Sequence, residues 1–185
     1  MNTEPFTITV HMVASLDGYI AKKDNSVSWF ETTDHYEYGV EDDSTEDFLK
    51  SADCFVMGSN TYEHALELSV DYGWVYGEVP TIVVTHRNLP VERKSVELFA
   101  GDLQQLVNER LKPHYRNVWV VGGAKLVSEF IRSGLADEIR YYVLPVILGD
   151  GVPFFENFER EYPLHLKGIK AFKSGLLELR YEIRK

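Results

Sequence analysis

The feature that most limits the fold is a short apolar run stopped by glycine and continued as a helix. It occurs at Cys54-Phe55-Val56-Met57-Gly58, followed by a helix over residues 61–68. It recurs twice in looser form. Thr81-Ile82-Val83-Val84-Thr85 runs into the polar turn His86-Arg87-Asn88, and Asn117-Val118-Trp119-Val120-Val121 runs into Gly122-Gly123 and a helix to about residue 133. A short strand at Val96–Phe99 and an amphipathic helix over 102–111 lie between them. Uniformly apolar strands are buried on both faces, and parallel neighbours need a crossover that is usually a helix. The alternation therefore predicts βαβ units and a mainly parallel sheet covered on both sides. Phe6-Thr7-Ile8-Thr9-Val10-His11-Met12-Val13 alternates apolar and polar residues, the period of a first strand, and Asp17-Gly18 marks a turn after it. A ligand-facing loop is expected from Lys22 to the Asp42 region. The end of the chain changes character: 138–148 reads as a long strand interrupted at Pro145. Residues 164–172 and 176–183 then alternate around Lys173-Ser174-Gly175, the signal of an antiparallel C-terminal hairpin.

At 185 residues one domain is expected. With 44% hydrophobic and 26% charged residues the chain has enough apolar surface to bury a core. Its net charge of −10 argues against nucleic acid and against an anionic membrane as partners. The single cysteine, Cys54, cannot form an intrachain disulfide, and no basic-then-apolar leader follows Met1, so a cytoplasmic location is expected. No run approaches the roughly 20 apolar residues of a membrane helix. The acidity is uneven: nine carboxylates and one base, Lys50, fall within residues 31–53, a net −8 of the total. That segment is either a solvated loop and helix start or a substrate-side segment holding a working carboxylate. Ser44 is placed as the N-cap of a helix with Asp47 in a capping-box relation. Phe48, Leu49 and Ala52 share its inner face, and Glu46 and Lys50 form an i,i+4 pair on the outer one.

Three strand ends carry small or hydroxylated residues: Gly58-Ser59-Asn60-Thr61, Thr85-His86-Arg87 and Gly122-Gly123-Ala124-Lys125-Leu126. Ligands of open α/β sheets bind outside the carboxyl ends of the strands. A glycine at a helix start lets backbone N–H groups approach a pyrophosphate. Neither G-x-G-x-x-G nor the P-loop pattern is present. Three such turns at one edge nonetheless point to a dinucleotide, with Arg87 placed to pair a 2′-phosphate, which favours NADPH.

The blocks Val13-Ala14-Ser15-Leu16-Asp17-Gly18-Tyr19-Ile20-Ala21, Val56-Met57-Gly58-Ser59-Asn60-Thr61-Tyr62-Glu63, Val120-Val121-Gly122-Gly123-Ala124-Lys125-Leu126 and Ala136-Asp137-Glu138-Ile139-Arg140 leading to Pro145-Val146-Ile147-Leu148-Gly149-Asp150-Gly151 resemble the dihydrofolate-reductase-like superfamily. More narrowly, they resemble the reductase domain of the bifunctional deaminase-reductase of riboflavin biosynthesis and its stand-alone relatives. The resemblance spans essentially the whole chain. It implies an α/β, three-layer αβα fold with a mainly parallel central sheet of about eight strands. It also implies NADPH-dependent hydride transfer to a small heterocyclic substrate, as in 5-amino-6-(5-phosphoribosylamino)uracil reductase. Two alternatives fit the same blocks: reduction of dihydrofolate or another pteridine, and nucleotide binding without turnover.

Carried over residue by residue, the resemblance places Ala14 and Ile20 in the nicotinamide pocket and Gly58, Ser59 and Thr61 at the pyrophosphate. Thr85, His86 and Arg87 fall at the adenosine phosphate, and Gly122, Gly123, Ala124, Lys125 and Leu126 in a second diphosphate turn, with a cis Gly122–Gly123 bond. Leu16, Asp17 and Trp29 fall on the substrate side, although Trp29 also suits a packing anchor. The chain departs from the pattern at Ser59, where many folate reductases carry arginine. Of Asp42, Asp43 and Glu46 as the catalytic carboxylate, Asp42 is preferred because Glu46 falls on a solvent face. A homodimer through the last strands is implied as well. His11 reads as a structural histidine. No metal site is expected, because the histidines share no ligand spacing, and no G-x-S-x-G marks a hydrolase. An acidic mouth would disfavour a phosphorylated pyrimidine or a polyglutamyl folate unless Lys22 and Lys23 swing in to pair with it.

Overall fold

The computed structural model describes residues 5–31, 34–43, 45–156 and 158–185; the helix N-cap expected at Ser44 lies outside them. The chain runs through β1 (Thr7–Ser15), β2 (Tyr19–Ala21), a 3-10 turn (Ser28–Phe30), α1 (Thr45–Lys50), β3 (Cys54–Gly58) and α2 (Ser59–Tyr72). It continues through β4 (Thr81–Val84), β5 (Val96–Phe99), α3 (Leu103–Gln105) extended by a π-helical stretch (Leu106–Leu111), β6 (Asn117–Val120) and α4 (Ala124–Arg132). β7 (Glu138–Leu144), β8 (Val152–Pro153), β9 (Leu164–Ala171) and β10 (Leu177–Ile183) complete it.

Eight strands form one sheet in the order β5-β4-β3-β6-β1-β7-β10-β9, and β2 pairs with β8 in a separate ribbon. The strands from β5 to β7 run parallel, while β10 is antiparallel to both β7 and β9. The expected mainly parallel sheet with an antiparallel C-terminal hairpin is what the chain forms. Alternate residues of the central strands serve opposite faces, as a pleated strand requires. Ile8, Val10, Val56, Val118 and Val120 pack with Val127, Phe130 and Ile131 of α4 and with Leu106 and Leu111. Phe55, Met57, Val83 and Trp119 face the other way and pack with Tyr62 of α2 and with Phe48 and Leu49 of α1.

Two boundaries differ from the sequence reading. β7 stops at Leu144 instead of continuing to 148, because Pro145 has no N–H to extend the ladder. The chain turns there, and the Leu16 N–H donates to the Val146 carbonyl at 2.8 Å, joining this turn to the end of β1. α2 begins at Ser59, directly after its strand, and ends where Gly73, at φ +75°, donates its N–H to the Ser69 carbonyl.

Candidate functional site

β4, β3, β6 and β1 are consecutive neighbours in the sheet, and all four run in the same direction. Their carboxyl ends therefore bring Thr85–Arg87, Gly58–Thr61, Gly122–Leu126 and Ala14–Ile20 side by side along one edge. The Gly58 N–H donates to the Gly122 carbonyl at 2.8 Å, locking the two glycine turns together. α2 and α4 start on Gly58 and Gly123, with no side-chain cap and no acidic residue in the first turn. Free N–H groups and the positive ends of two helix dipoles are thus aimed at the edge. Ala124 is buried, Leu126 half-buried and Lys125 exposed.

The Gly122–Gly123 peptide is cis, as the resemblance implies. Gly122 sits at φ +121°, where a Cβ would also lie 3.1 Å from Met12 Sδ and 3.4 Å from Thr61 Oγ1. Only glycine suits that position. The Thr61 hydroxyl lies equally close to where a Cβ of Gly123 would be, so it lines both glycines.

The end of β1 is tied by a compact hydrogen-bond knot. The fully buried Ser15 hydroxyl donates to Asp17 at 2.6 Å and accepts from the Tyr19 N–H at 3.0 Å. The Asp17 carboxylate also accepts from the N–H groups of Leu148 (3.1 Å) and Gly149 (2.7 Å). The Ser15 bond first, then these two amides, hold its carboxyl below the usual range. Asp17 thus clamps two loops of the mouth together. Ala14 is fully buried, Ile20 is half-buried against the core, and Leu16 is exposed. Trp29 is buried, packs edge-on to Phe30, and its indole N–H has no partner among the described residues.

The acidic segment borders the same edge from the antiparallel side. Leu177 pairs with Val143, which pairs with Ala14, so the β9–β10 turn lies at the level where β1 ends. Asp42 accepts from the hydroxyl and the N–H of Ser174 in that turn. Asp43 pairs with Lys170, Glu41 with Lys173, and Glu46 with Lys50. Lys23 pairs with Asp150, and Lys22 reaches Ser28.

At the other end of the edge, the Thr85 hydroxyl accepts from the Arg87 N–H at 3.0 Å and shapes that turn. His86 is exposed. The Arg87 guanidinium makes a two-pronged bond to Glu63 of α2, at 2.7 and 2.6 Å. Sequence reading gave Glu63 no role beyond its place at the end of the Val56–Glu63 block; its partner is 24 residues away, and no local spacing marks the pair. Met12, Ser15 and Glu63 are the lining residues that reading missed. Only Ser15 left a trace, as the first residue of Ser15-Leu16-Asp17-Gly18, a turn-forming string.

No group of three His, Cys, Asp or Glu among the described residues is placed to hold a metal. A surface concavity lined by Phe6, Thr7, Asp137 and Ile183 lies at the opposite edge of the sheet. Of the three carboxylates that line it, Asp137 accepts from the Ile8 N–H and from Lys185, and Glu138 pairs with Lys167. The converging turns mark the site better than that hollow does, because two helix starts without side-chain caps meet at their edge.

Comparison with known proteins agrees with this geometry. The family model described as "RibD C-terminal domain" matches residues 6–177. The chain is 34% identical over 164 residues to the uncharacterized protein YwjB of Bacillus subtilis (strain 168), covering 88% of this chain and 90% of that one. It is 38% identical over 114 residues to the 2,5-diamino-6-ribosylamino-4(3H)-pyrimidinone 5′-phosphate reductase of Aquifex aeolicus (strain VF5), covering 53% and 51% of the two chains. A solved structure from Shewanella sp. PV-4, described as a riboflavin biosynthesis protein, superposes with a TM-score of 0.81 at 25% identity, over 97% of this chain and all of that one. The chain therefore belongs to the RibD C-terminal domain family, oxidoreductases with the dihydrofolate-reductase-like fold.

Proposed function

We propose that this chain is an NADPH-dependent reductase of a small heterocyclic substrate, of the same kind as 5-amino-6-(5-phosphoribosylamino)uracil reductase. The observation that carries the reading is the joining of two uncapped helix starts by the Gly58–Gly122 hydrogen bond, beside a third turn bearing Arg87. A dinucleotide fits this edge. A Cβ at Gly122 would fill the cradle beside Met12 and Thr61, and the donors present are backbone N–H groups, hydroxyls and cations suited to phosphate.

Gly58, Ser59 and Thr61 would hold one side of the pyrophosphate, and Gly122–Leu126 the other. Thr85, His86 and Arg87 would receive the adenosine end. Ala14 and Ile20 would seat the nicotinamide against the end of β1, with Leu16 and Trp29 on the substrate side. NADPH, when bound, supplies the hydride. The residues of this chain orient the acceptor carbon, exclude water and deliver one proton to the neighbouring heteroatom. Asp42 is the carboxylate assigned to that proton, and Ser174 holds its oxygens.

The test is NADPH oxidation followed optically with the ribosylaminopyrimidine phosphate and with dihydrofolate, beside calorimetric binding of NADPH alone. Turnover with the pyrimidine is the expected result. Turnover only with dihydrofolate, or tight binding with no turnover on either, would replace the proposed activity. Failure to bind NADPH would remove the site itself.

A further inference from the structure

We propose that Glu63 is a built-in competitor for Arg87 and sets how strongly the protein distinguishes a phosphorylated from an unphosphorylated nucleotide ribose. This rests on the reductase reading above. The inference starts from geometry: both oxygens of Glu63 meet both terminal nitrogens of Arg87, at 2.6 and 2.7 Å. That fork is the arrangement a guanidinium uses to grip a phosphate, so the carboxylate occupies the place where a phosphate would bind. The two side chains belong to elements that flank the third turn. Glu63 lies in the second turn of α2, and Arg87 follows β4, one strand outward from β3. The Thr85 bond to the Arg87 N–H fixes the root of the arginine.

Two consequences follow from charge and exposure. A 2′-phosphate approaching this turn meets a neutral pair instead of a bare cation, and must displace or crowd a carboxylate. A 2′-hydroxyl can instead donate to that carboxylate while the pair stays intact. The side chains are 54% and 39% exposed, so the pair is solvent-screened and opens readily. Arg87 is thus shared between an internal anion and a ligand anion, and preference for NADPH over NADH is weaker than the arginine alone would dictate.

Calorimetric titration of the intact protein with NADPH and with NADH tests this without turnover. In E63Q, which keeps the side-chain size and removes the charge, the ratio of the NADH Kd to the NADPH Kd should rise by about tenfold, the size of one charge-assisted contact. In R87Q the same ratio should fall by about tenfold, through loss of NADPH affinity alone. Added salt should move the ratio in wild type and leave it nearly flat in R87Q. An unchanged or lowered ratio in E63Q would overturn the proposal while leaving the reductase reading in place. If wild type bound neither nucleotide, the reductase reading would fall and this inference with it.

Discussion

His11 is a polar residue of β1 that the fold leaves partly exposed and packs among aromatic rings. Its ring stacks on Trp119 at 4.6 Å, with Tyr142 at 5.1 Å and Phe48 at 5.6 Å on its other sides. Arg140 lies over Trp119 and donates to the buried Glu178 at 2.7 Å, and Tyr142 donates to the same carboxylate. Burial first, and the Arg140 charge second, push the His11 pKa from 6.5 down to about 3. Between these values the unfolded chain takes up a proton that the folded one refuses. Stability is therefore full above pH 6.5 and is lost as pH falls toward 3, by up to about 1.4 kcal/mol per pH unit. A urea-unfolding series should show this extra slope in wild type and not in H11F, and the His11 ring protons should not titrate between pH 5 and 8 in the native state. An H11F slope equal to that of wild type would refute the assignment. The structural role of His11 was legible from its place on the polar side of the strand. Its aromatic surroundings were not, because they come from three other elements.

At the scale of elements, the least expected feature is the lacing of residues 34–43 onto the β9–β10 turn. The Tyr36 and Val40 N–H groups donate to the Lys173 and Ala171 carbonyls at 2.8 and 2.9 Å, and the Lys173 N–H returns to Val40 at 2.8 Å. Gly39 permits this closeness, since a Cβ there would collide with the backbone of Phe172 and Lys173. G39A should therefore cost about 1–3 kcal/mol by denaturant unfolding and open the 34–43 segment to limited proteolysis. Wild-type resistance in G39A would show that the segment is held mainly by its side-chain pairs. The strands flanked by glycine turns were legible because each carries its own periodicity and stop signal. This lacing was not, because composition shows nine acids and says nothing of lysines about 130 residues later. The ribbon of β2 and β8 was missed for a simpler reason: three and two residues are too few to show a period. The candidate site divides in the same way, into turns readable locally and a Glu63–Arg87 pair made by the fold.

Charge and surface together describe the whole molecule. Most of the −10 sits in residues 31–53, yet Glu41 and Asp43 there meet Lys173 and Lys170 of the hairpin. Two of the nine carboxylates that weighed against a phosphorylated substrate are thus paired in place, without Lys22 or Lys23 moving, and the segment stays net acidic. The hairpin also leaves one face uncovered. A register shift between Arg180 and Tyr181 sets Leu164, Leu166 and Ile169 opposite Ile183, Tyr181 and Leu179. All three then project on the face whose inner part, with Ile183 and Tyr181, joins the core packed by α4. They are 42%, 46% and 63% exposed on the edge strand of the sheet, where an open apolar row is a hazard for a protein in water. A second copy of this chain is the cover we propose, in keeping with the homodimer that the resemblance implies. Light scattering should give about twice the 21.3 kDa of one chain. I169K places a charge at the centre of that row and should yield the monomer mass with the fold intact by circular dichroism. A wild-type mass of one chain, or an I169K variant that stays at twice that mass, would mean that the row is not the contact between copies.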